Sequence, residues 1–72
     1  MEIYLNRSGN SPISYYQIAD SSITVCFKGS TRAYTYSYRK AGSYHVENMK
    51  RLAVSGSGLS AYITRNVKFD YD

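Results

Sequence analysis

Apolar and polar residues alternate along the middle of the chain, in three segments separated by turn residues. The segments are Ile13–Ala19, Ser22–Lys28 and Ala33–Tyr38, and alternation over such lengths is typical of half-buried β-strands rich in β-branched and aromatic residues. Asp20-Ser21 and Gly29-Ser30 supply the short turns between them. The pattern therefore predicts a three-stranded antiparallel meander.

Turn lengths indicate which residues share a face of this sheet. A two-residue turn at Asp20-Ser21 places Ile18 opposite Ile23. Tyr16 then lies opposite Val25, and a short second turn puts the third strand in the same register. The face that must be covered comprises Tyr16, Ile18, Ile23, Val25, Phe27, Tyr34, Tyr36 and Tyr38, and the open face comprises Tyr15, Gln17, Thr24, Cys26, Lys28, Ala33, Thr35 and Ser37.

The apolar repeat lengthens to 3.6 residues after Gly42, which predicts helices on the C-terminal side of the sheet. The first helix spans Ser43–Val54, with Ser43 as its N-cap and Gly56 as its C-terminal stop. A second, shorter helix spans Ser57–Val67. The apolar positions that recur on the first helix are Val46, Met49, Leu52 and Ala53.

These elements predict one α+β domain over residues 1–72: a small antiparallel meander of three to four strands, with one face covered by two C-terminal helices. Met1–Leu5 is expected as an edge strand, residues 6–10 as its loop, and Lys68–Asp72 as a tail. The expected core comprises Ile18, Ile23, Val25, Phe27, Met49, Leu52 and Ile63, together with the rings of Tyr34 and Tyr36.

Length and composition exclude several classes of protein. A chain of 72 residues has material for one hydrophobic core. Its single cysteine, Cys26, permits no internal disulfide and no four-ligand zinc site. No apolar run is long enough to span a membrane, and Met1–Leu5 lacks the basic start and long apolar stretch of a signal peptide. We expect a cytoplasmic protein.

Nine lysines and arginines against five acidic residues give a net charge of +4, which favours an anionic partner. The basic residues form no long run, so a binding site must be assembled by folding. Arg39 and Lys40 follow the third strand, whereas Arg65 and Lys68 follow the second helix, and we expect the two pairs to meet. Phosphates would contact these charges while Tyr38 or Tyr71 stacks on a base. The expected site comprises Arg39, Lys40, Arg65, Lys68 and Tyr38, with RNA ahead of DNA as the ligand.

The same chain offers little for catalysis. His45 is the only histidine and Cys26 the only thiol, and the predicted fold puts the sheet between them. The acidic residues form no close pair in the central sequence. Ser55–Ser60 lacks the lysine of a phosphate-binding loop and does not follow a strand, although its bare amides before a helix can hold an anion. We expect a non-enzymatic protein without a cofactor or metal.

The nine tyrosines allow two interpretations. Exposed on a sheet, such rings stack on the bases of single-stranded RNA. Buried under helices, they form the core while their hydroxyls reach the rim. The register favours burial for Tyr34 and Tyr36 and leaves Tyr15 as the strand tyrosine on the open face.

The open face predicts a protein interface as the alternative site. Its short side chains permit close approach of another surface, including a second copy of the chain as a homodimer. A small chain of this kind also fits a phage accessory protein that binds a host protein complex, for example a CRISPR inhibitor. The residues of this alternative interface are Tyr15, Thr24, Cys26 and Thr35.

A series of short motifs follows in a distinctive order: Ser11-x-Ile13, Ile23-x-Val25-x-Phe27, Tyr34-x-Tyr36, Leu52-Ala53-x-Ser55-Gly56 and Gly58-Leu59-x-Ala61-Tyr62-Ile63. From about residue 11 to residue 71 the chain resembles the KTSC domain, named for the C-terminus of some lysyl-tRNA synthetases and found in small bacterial and phage proteins. The family often has a proline before its helix, where this chain has Arg39-Lys40-Ala41-Gly42. The resemblance implies the small α+β fold, no established activity, and RNA binding suggested by the link to a synthetase.

Overall fold

The computed structural model describes residues 1–72, which form a four-stranded antiparallel sheet with two helices on one face. The strands, in the order in which they lie side by side, are β1 (Glu2–Ile3), β2 (Ile13–Ala19), β3 (Ser22–Phe27) and β4 (Ala33–Ser37). Helix α1 (Ser43–Ser55) is followed by α2 (Leu59–Tyr62), which continues into a π-helical turn (Ile63–Val67). The predicted α+β fold is confirmed, including its N-terminal edge strand.

The predicted register is also confirmed. Ile18 lies opposite Ile23, and Tyr16 lies opposite Val25. Tyr34 in turn lies opposite Val25 on the next strand, so the inward rings of β4 share a face with the β-branched residues of β3. We call this covered side the inner face and the other side the open face.

A β-bulge near the start of β2 changes which residues point inward. The pairing with β3 shifts between Ile13 and Tyr15, so two consecutive residues, Ile13 and Ser14, share one place in the alternation. As a result Ile13 is fully buried, although simple alternation from Tyr16 would put it on the open face. The bulge thus adds a core residue that period-two counting misses.

The core lies between the inner face of the sheet and the helices. Of the predicted core, Ile23, Val25, Tyr36, Met49 and Ile63 are buried, whereas Phe27, Tyr34 and Leu52 are half-buried and pack against them. The remaining buried hydrophobic residues are Tyr4, Ile13, Tyr16, Ala41, Val46, Ala53, Leu59 and Val67.

Two details of the sequence prediction are wrong. Ile18 is 41% exposed because it lies beside the β2–β3 turn, where it lines a surface pocket together with the exposed residues Met1 and Val54. Ser43 is the first residue of α1 and makes no capping hydrogen bond, because Gly42 occupies the N-cap position. The backbone turns there with a φ of 94°, a conformation that glycine adopts without a steric penalty.

The end of α1 is held by the N-terminal segment. Gly56 has a left-handed φ of 78° and its N–H bonds to the carbonyls of Leu52 and Ala53, which confirms it as the predicted stop. Arg7 crosses this end, where its backbone N–H donates to the Gly56 carbonyl at 2.8 Å. A Cβ at Gly56 would lie 2.6 Å from Cβ of Leu5, so the crossing requires glycine.

None of the helices has the length and apolar character needed to span a lipid bilayer.

Candidate functional site

A cleft of about 350 Å³ opens on the inner face, between the sheet and the C-terminal residues. We call it the aromatic cleft because half of its lining is aromatic. Its residues are Phe27, Ser30, Tyr34, Tyr36, Ser60, Ile63, Thr64, Lys68, Phe69 and Tyr71.

Edge-to-face ring contacts build the wall of the aromatic cleft. Alternation along β4 directs Tyr34 and Tyr36 inward, and the Phe27 ring lies 5.6 Å from that of Tyr34. The Tyr71 ring lies 4.8 Å from Tyr34 and 6.2 Å from Tyr36. Such pairs each contribute about 0.5–1.5 kcal/mol beyond the area they bury, so the wall is a preformed part of the fold.

Two cations lie against these rings. The Arg32 guanidinium carbon is 5.0 Å from the Tyr34 ring centroid and 5.5 Å from that of Tyr71. The Lys68 ammonium, which lines the cleft, is 5.4 Å from the Phe69 ring centroid. All three distances are within the range in which an aromatic quadrupole attracts a cation.

Neither of these cations is neutralised by a carboxylate. The chain has one ion pair, between Lys50 and Glu47 at 2.8 Å, and it lies on α1. Arg32 and Lys68 are therefore free to attract an anion to the aromatic cleft.

Tyr36 gives the cleft a hydroxyl that stays protonated. Burial raises its pKa to about 12, and the neighbouring Tyr34 and Tyr71 add to the shift. Because no buried side-chain polar atom lacks a hydrogen-bond partner, and the Tyr36 hydroxyl makes none within the chain, this hydroxyl reaches the solvent in the cleft. It can donate a hydrogen bond to a ligand across the physiological pH range.

The C-terminal residues are fixed to β4 by two hydrogen bonds. The backbone N–H of Asp72 donates to the Thr35 carbonyl at 2.7 Å. The Ser37 hydroxyl donates to the Asp72 carboxylate, also at 2.7 Å. The residues predicted as a tail thus contain no helix or strand, yet they complete the cleft wall through Tyr71.

The basic residues predicted as one site lie at two ends of β4. Arg39 and Lys40 are exposed in the turn after the strand. Lys68 lines the aromatic cleft, whose lining includes the β3–β4 turn before the strand, and Arg65 is exposed in the π-helical turn just before it. Lys68 and Arg32 thus lie against different rings of the aromatic cleft, Phe69 for Lys68 and Tyr34 with Tyr71 for Arg32, whereas Arg39 and Lys40 lie beyond the other end of β4.

Tyr38, one of the two tyrosines predicted to stack on a base, takes part in a local hydrogen-bond network. Its hydroxyl donates to Glu47 at 2.5 Å, which raises the pKa of Tyr38, and the nearby charge of Glu47 acts in the same direction. Hydrogen bonds from Lys50 and then from Tyr38 lower the pKa of Glu47. The Lys50 ammonium lies 5.6 Å from the Tyr38 ring centroid, so this ring already has a cationic neighbour.

On the open face, the four residues predicted as a protein interface are neighbours. The hydroxyls of Thr24 and Thr35 are 2.9 Å apart, and the Cys26 thiol donates to the Met1 sulfur at 3.5 Å. Tyr15 is 46% exposed. The register aligns a row of mainly apolar residues across all four strands: Ile3, Tyr15, Cys26 and Ala33.

His45 belongs to a polar cluster between the helices that the sequence did not reveal. Its Nδ1 is 2.6 Å from the Tyr62 hydroxyl, which also accepts a hydrogen bond from Asn48 at 3.2 Å. The three-residue spacing of His45 and Asn48, which places both on one side of α1, was the sequence feature that could have indicated this cluster. The chain has no group of three potential metal ligands of the histidine, cysteine, aspartate or glutamate type.

Sequence patterns assigned no binding role to Phe69, which lines the cleft, or to Arg32, which lies against the cleft rings Tyr34 and Tyr71. Arg32 precedes a strand and Phe69 lies outside all regular elements, so neither has a periodic signature. Alternation in Phe69-Asp70-Tyr71-Asp72 was the only local sign that these residues could follow a sheet edge.

Compared with known proteins, the chain matches no family model, no curated protein and no solved structure. The resemblance to the KTSC domain therefore stays a prediction, and the functional argument depends on the geometry of the aromatic cleft and the sheet.

Proposed function

We propose that this protein is a cytoplasmic, non-enzymatic module that binds single-stranded RNA at the aromatic cleft. The observation that supports this most directly is the combination of a 350 Å³ cleft lined by aromatic rings with two unpaired cations, Arg32 and Lys68. Single-stranded nucleic acids are bound by aromatic stacking and by cations along the phosphate backbone, and the cleft offers both.

Phe69 is the ring best placed to stack on a base. It is 74% exposed, it lines the cleft, and Lys68 lies beside it for the adjoining phosphate. Tyr34 and Tyr36 make edge-to-face contacts within the cleft wall, so their ring faces are not available for stacking. They would shape the cleft, and the Tyr36 hydroxyl would donate a hydrogen bond, while Phe69 stacks on the base.

Further basic residues extend the proposed RNA path along β4. Arg32 precedes the strand and Arg39 and Lys40 follow it, and a strand of five residues is roughly 17 Å long. Phosphates at both ends of β4 would therefore meet a positive charge, with Arg65 close to the cleft end. The Asp72 carboxylate, which accepts a hydrogen bond from Ser37 near the end of β4, would repel a phosphate along this path.

Salt-dependent binding tests the proposal. We expect a fluorescent eight-nucleotide RNA to bind more tightly than the matching DNA or an RNA duplex in an anisotropy titration. The logarithm of the association constant should fall with the logarithm of salt concentration, by about 0.7 for each phosphate contact of a single strand. No binding of any of the three at low salt would contradict the proposal.

Matched charge reversals test the location. Lys68→Glu should weaken RNA binding at least about tenfold and reduce the salt slope by about 0.7 or more. Lys28→Glu changes the same charge at an exposed position after β3 and should have a much smaller effect. Equal losses in the two variants would show that net charge alone drives binding.

Matched aromatic truncations test stacking. Phe69→Ala should weaken RNA binding about tenfold, since one stacked base is worth about 1–3 kcal/mol. Tyr44→Ala removes an equally exposed ring from α1 and should leave binding unchanged. Circular dichroism of both variants should match that of the parent protein because neither ring is in the core.

A protein-binding function is the second candidate, favoured by the apolar row Ile3, Tyr15, Cys26 and Ala33 across the open face. Under this proposal the partner is a host protein complex, as for a CRISPR inhibitor, or a second copy of the chain. Tyr15→Glu should then abolish partner binding or self-association and leave RNA binding unchanged, whereas Lys68→Glu should do the reverse.

A further inference from the structure

The outer edge of β4 has unpaired backbone groups. The Tyr38 N–H donates to the Ser21 carbonyl, which fixes the hydrogen-bonded pairs between β3 and β4. Hydrogen-bonded pairs recur every two residues along an antiparallel ladder, so the backbone groups of Tyr36 and Tyr34 bond to β3. The backbone groups of the residues between them point away from the sheet. The outward-pointing residues are Ala33, Thr35 and Ser37. Of their groups, the Ser37 carbonyl already accepts the N–H groups of Lys40 and Ala41 in the turn after β4, so it is not free for an added strand.

The C-terminal residues occupy part of this edge in the manner of a strand. Asp72 makes the one backbone hydrogen bond that joins them to β4, to the Thr35 carbonyl. Tyr71 packs against Tyr34 on the inner face, whereas the Asp72 side chain bonds to Ser37 on the open face. Successive side chains on opposite faces are the signature of an added strand.

We propose that the outer edge of β4 is a docking site for an extended peptide in which aromatic and acidic residues alternate. The chain's own Phe69-Asp70-Tyr71-Asp72 shows the chemistry that fits: an aromatic ring against Tyr34, and a carboxylate at the hydroxyl of Ser37. This inference goes beyond RNA binding because it concerns the backbone edge of β4, although it shares Tyr34 and the flanking cations with the proposed RNA path.

Charge supports this occupant. Arg32 lies at one end of the edge, and Arg39 and Lys40 lie at the other, all without an ion-pair partner. An extended peptide with several carboxylates would place negative charge along this strand. Strand addition obtains affinity from main-chain hydrogen bonds and specificity from alternate side chains, and a longer peptide can make more such bonds than the single one now present.

The test uses a fluorescent peptide with the order of residues 69–72 repeated twice and a control peptide with four aromatic residues followed by four aspartates. Anisotropy with the full chain should show saturable binding of the alternating peptide, at least about tenfold tighter than the control because only alternation matches the two faces. The Thr35 amide signal should shift on binding. Equal binding of both peptides, or no binding up to millimolar protein, would overturn the proposal.

Variants of the edge complete the test. Thr35→Pro removes an N–H that points out of the sheet, a change that edge strands accept, and should reduce peptide binding about tenfold. Because proline can still unfold a small domain, Arg32→Glu provides a second route and should weaken binding more than its matched control, Lys28→Glu. Full retention of binding in folded Thr35→Pro, or equal losses in the two charge reversals, would contradict the proposal.

Tyr71→Ala separates this site from the RNA site. Loss of the Tyr71 ring should release the edge and raise peptide affinity several-fold, whereas the same change removes a cleft wall and should lower RNA affinity. RNA binding without peptide binding would overturn the peptide site alone, and peptide binding without RNA binding would overturn the proposed function alone. Unchanged peptide affinity in Tyr71→Ala would contradict the proposal, because a peptide bound at this edge must compete with the Tyr71 ring.

Discussion

The two faces of the sheet are built from the same strands but are stabilised differently. On the inner face Ile23 and Val25 are fully buried under the helices, and Tyr36 is buried apart from the part of its side chain that lines the aromatic cleft. On the open face the intervening Thr24 and Thr35 are half-buried and satisfy one another through a hydroxyl pair. Tyr34 and Tyr36 therefore contribute mainly to the stability of the fold, and they contact solvent at the aromatic cleft. Candidate binding groups lie at the rim and edge of the inner face, and the open face remains as a flat surface.

The largest contrast between the two faces should come from truncating adjacent residues of β4. Tyr36→Ala removes a buried ring and should lower the free energy of unfolding by about 3–5 kcal/mol, as for other large aromatic core residues. That loss is close to the whole stability expected of so small a domain. Thr35→Ala removes one partner of a half-buried hydroxyl pair and should cost less than about 1.5 kcal/mol.

Chemical denaturation with fluorescence or circular dichroism measures both changes. Similar destabilisation by the two substitutions would show that the open face is covered as well as the inner one, for example by self-association.

A substitution at Gly56 should destabilise the packing of α1 on the inner face, because the N-terminal segment crosses the end of α1 at this residue. Gly56→Ala combines an unfavourable positive φ with a contact 2.6 Å from Leu5, so we expect about 2–5 kcal/mol of destabilisation. Gly29→Ala has a similar φ of 76° but open space around its Cβ, and should cost only the backbone strain of about 1–2 kcal/mol. Equal melting temperatures would mean that Leu5 moves aside without cost.

The inner face should also respond to alkaline pH. The pKa of Tyr36 is raised to about 12 from 10.0, so the folded state holds its proton more tightly than the unfolded state. Stability is therefore retained below pH 10 and falls as pH rises toward 12. Since the ring borders the open cleft, solvent screening limits this loss to about 1 kcal/mol. The Tyr36→Phe variant should lack this part of the decline, and parallel pH curves for the two proteins would contradict the assignment.

The smallest effect on stability is expected on the open face. Thr35→Arg removes the hydroxyl pair of a half-buried residue, but the stem of the arginine can cover the same surface while its charge reaches solvent, so the free energy of unfolding should change by less than about 1 kcal/mol. If this face binds a second copy or a partner protein, the same substitution should abolish that association in sedimentation experiments. Association that survives Thr35→Arg would exclude the open face as the interface.

Sequence patterns predicted the three long strands, their register and both helices because each depends on local order. Alternation selects one face, a two-residue turn fixes the register, and the helical repeat selects one side of α1. Ile13 was missed because a bulge changes the alternation, and Ile18 was misassigned because the extent of the helical cover is not a local property. Tyr4 was missed for the same reason: it is buried through its contact with the distant α2, where its hydroxyl accepts the Leu59 N–H.

The candidate site was partly predictable. The net charge indicated an anionic partner, and Lys68 was among the expected residues. The position of Lys68 at the aromatic cleft, and not beside Arg39 and Lys40, depends on the direction in which the chain leaves the π-helical turn. The position of Tyr71 depends on hydrogen bonds between the last residue and β4. Neither relation has a spacing that a pattern could detect.

The sequence by itself determined the elements, the strand register and the sign of the charge, because the side-chain period and the composition are local quantities. The tertiary structure decided where the charge and the rings meet, because the aromatic cleft forms only when Phe69 and Tyr71 return to strands more than thirty residues earlier in the chain. It also decided that the outer edge of β4 is joined by a single backbone bond. Contacts between distant segments depend on packing geometry, and that geometry is set by the whole fold.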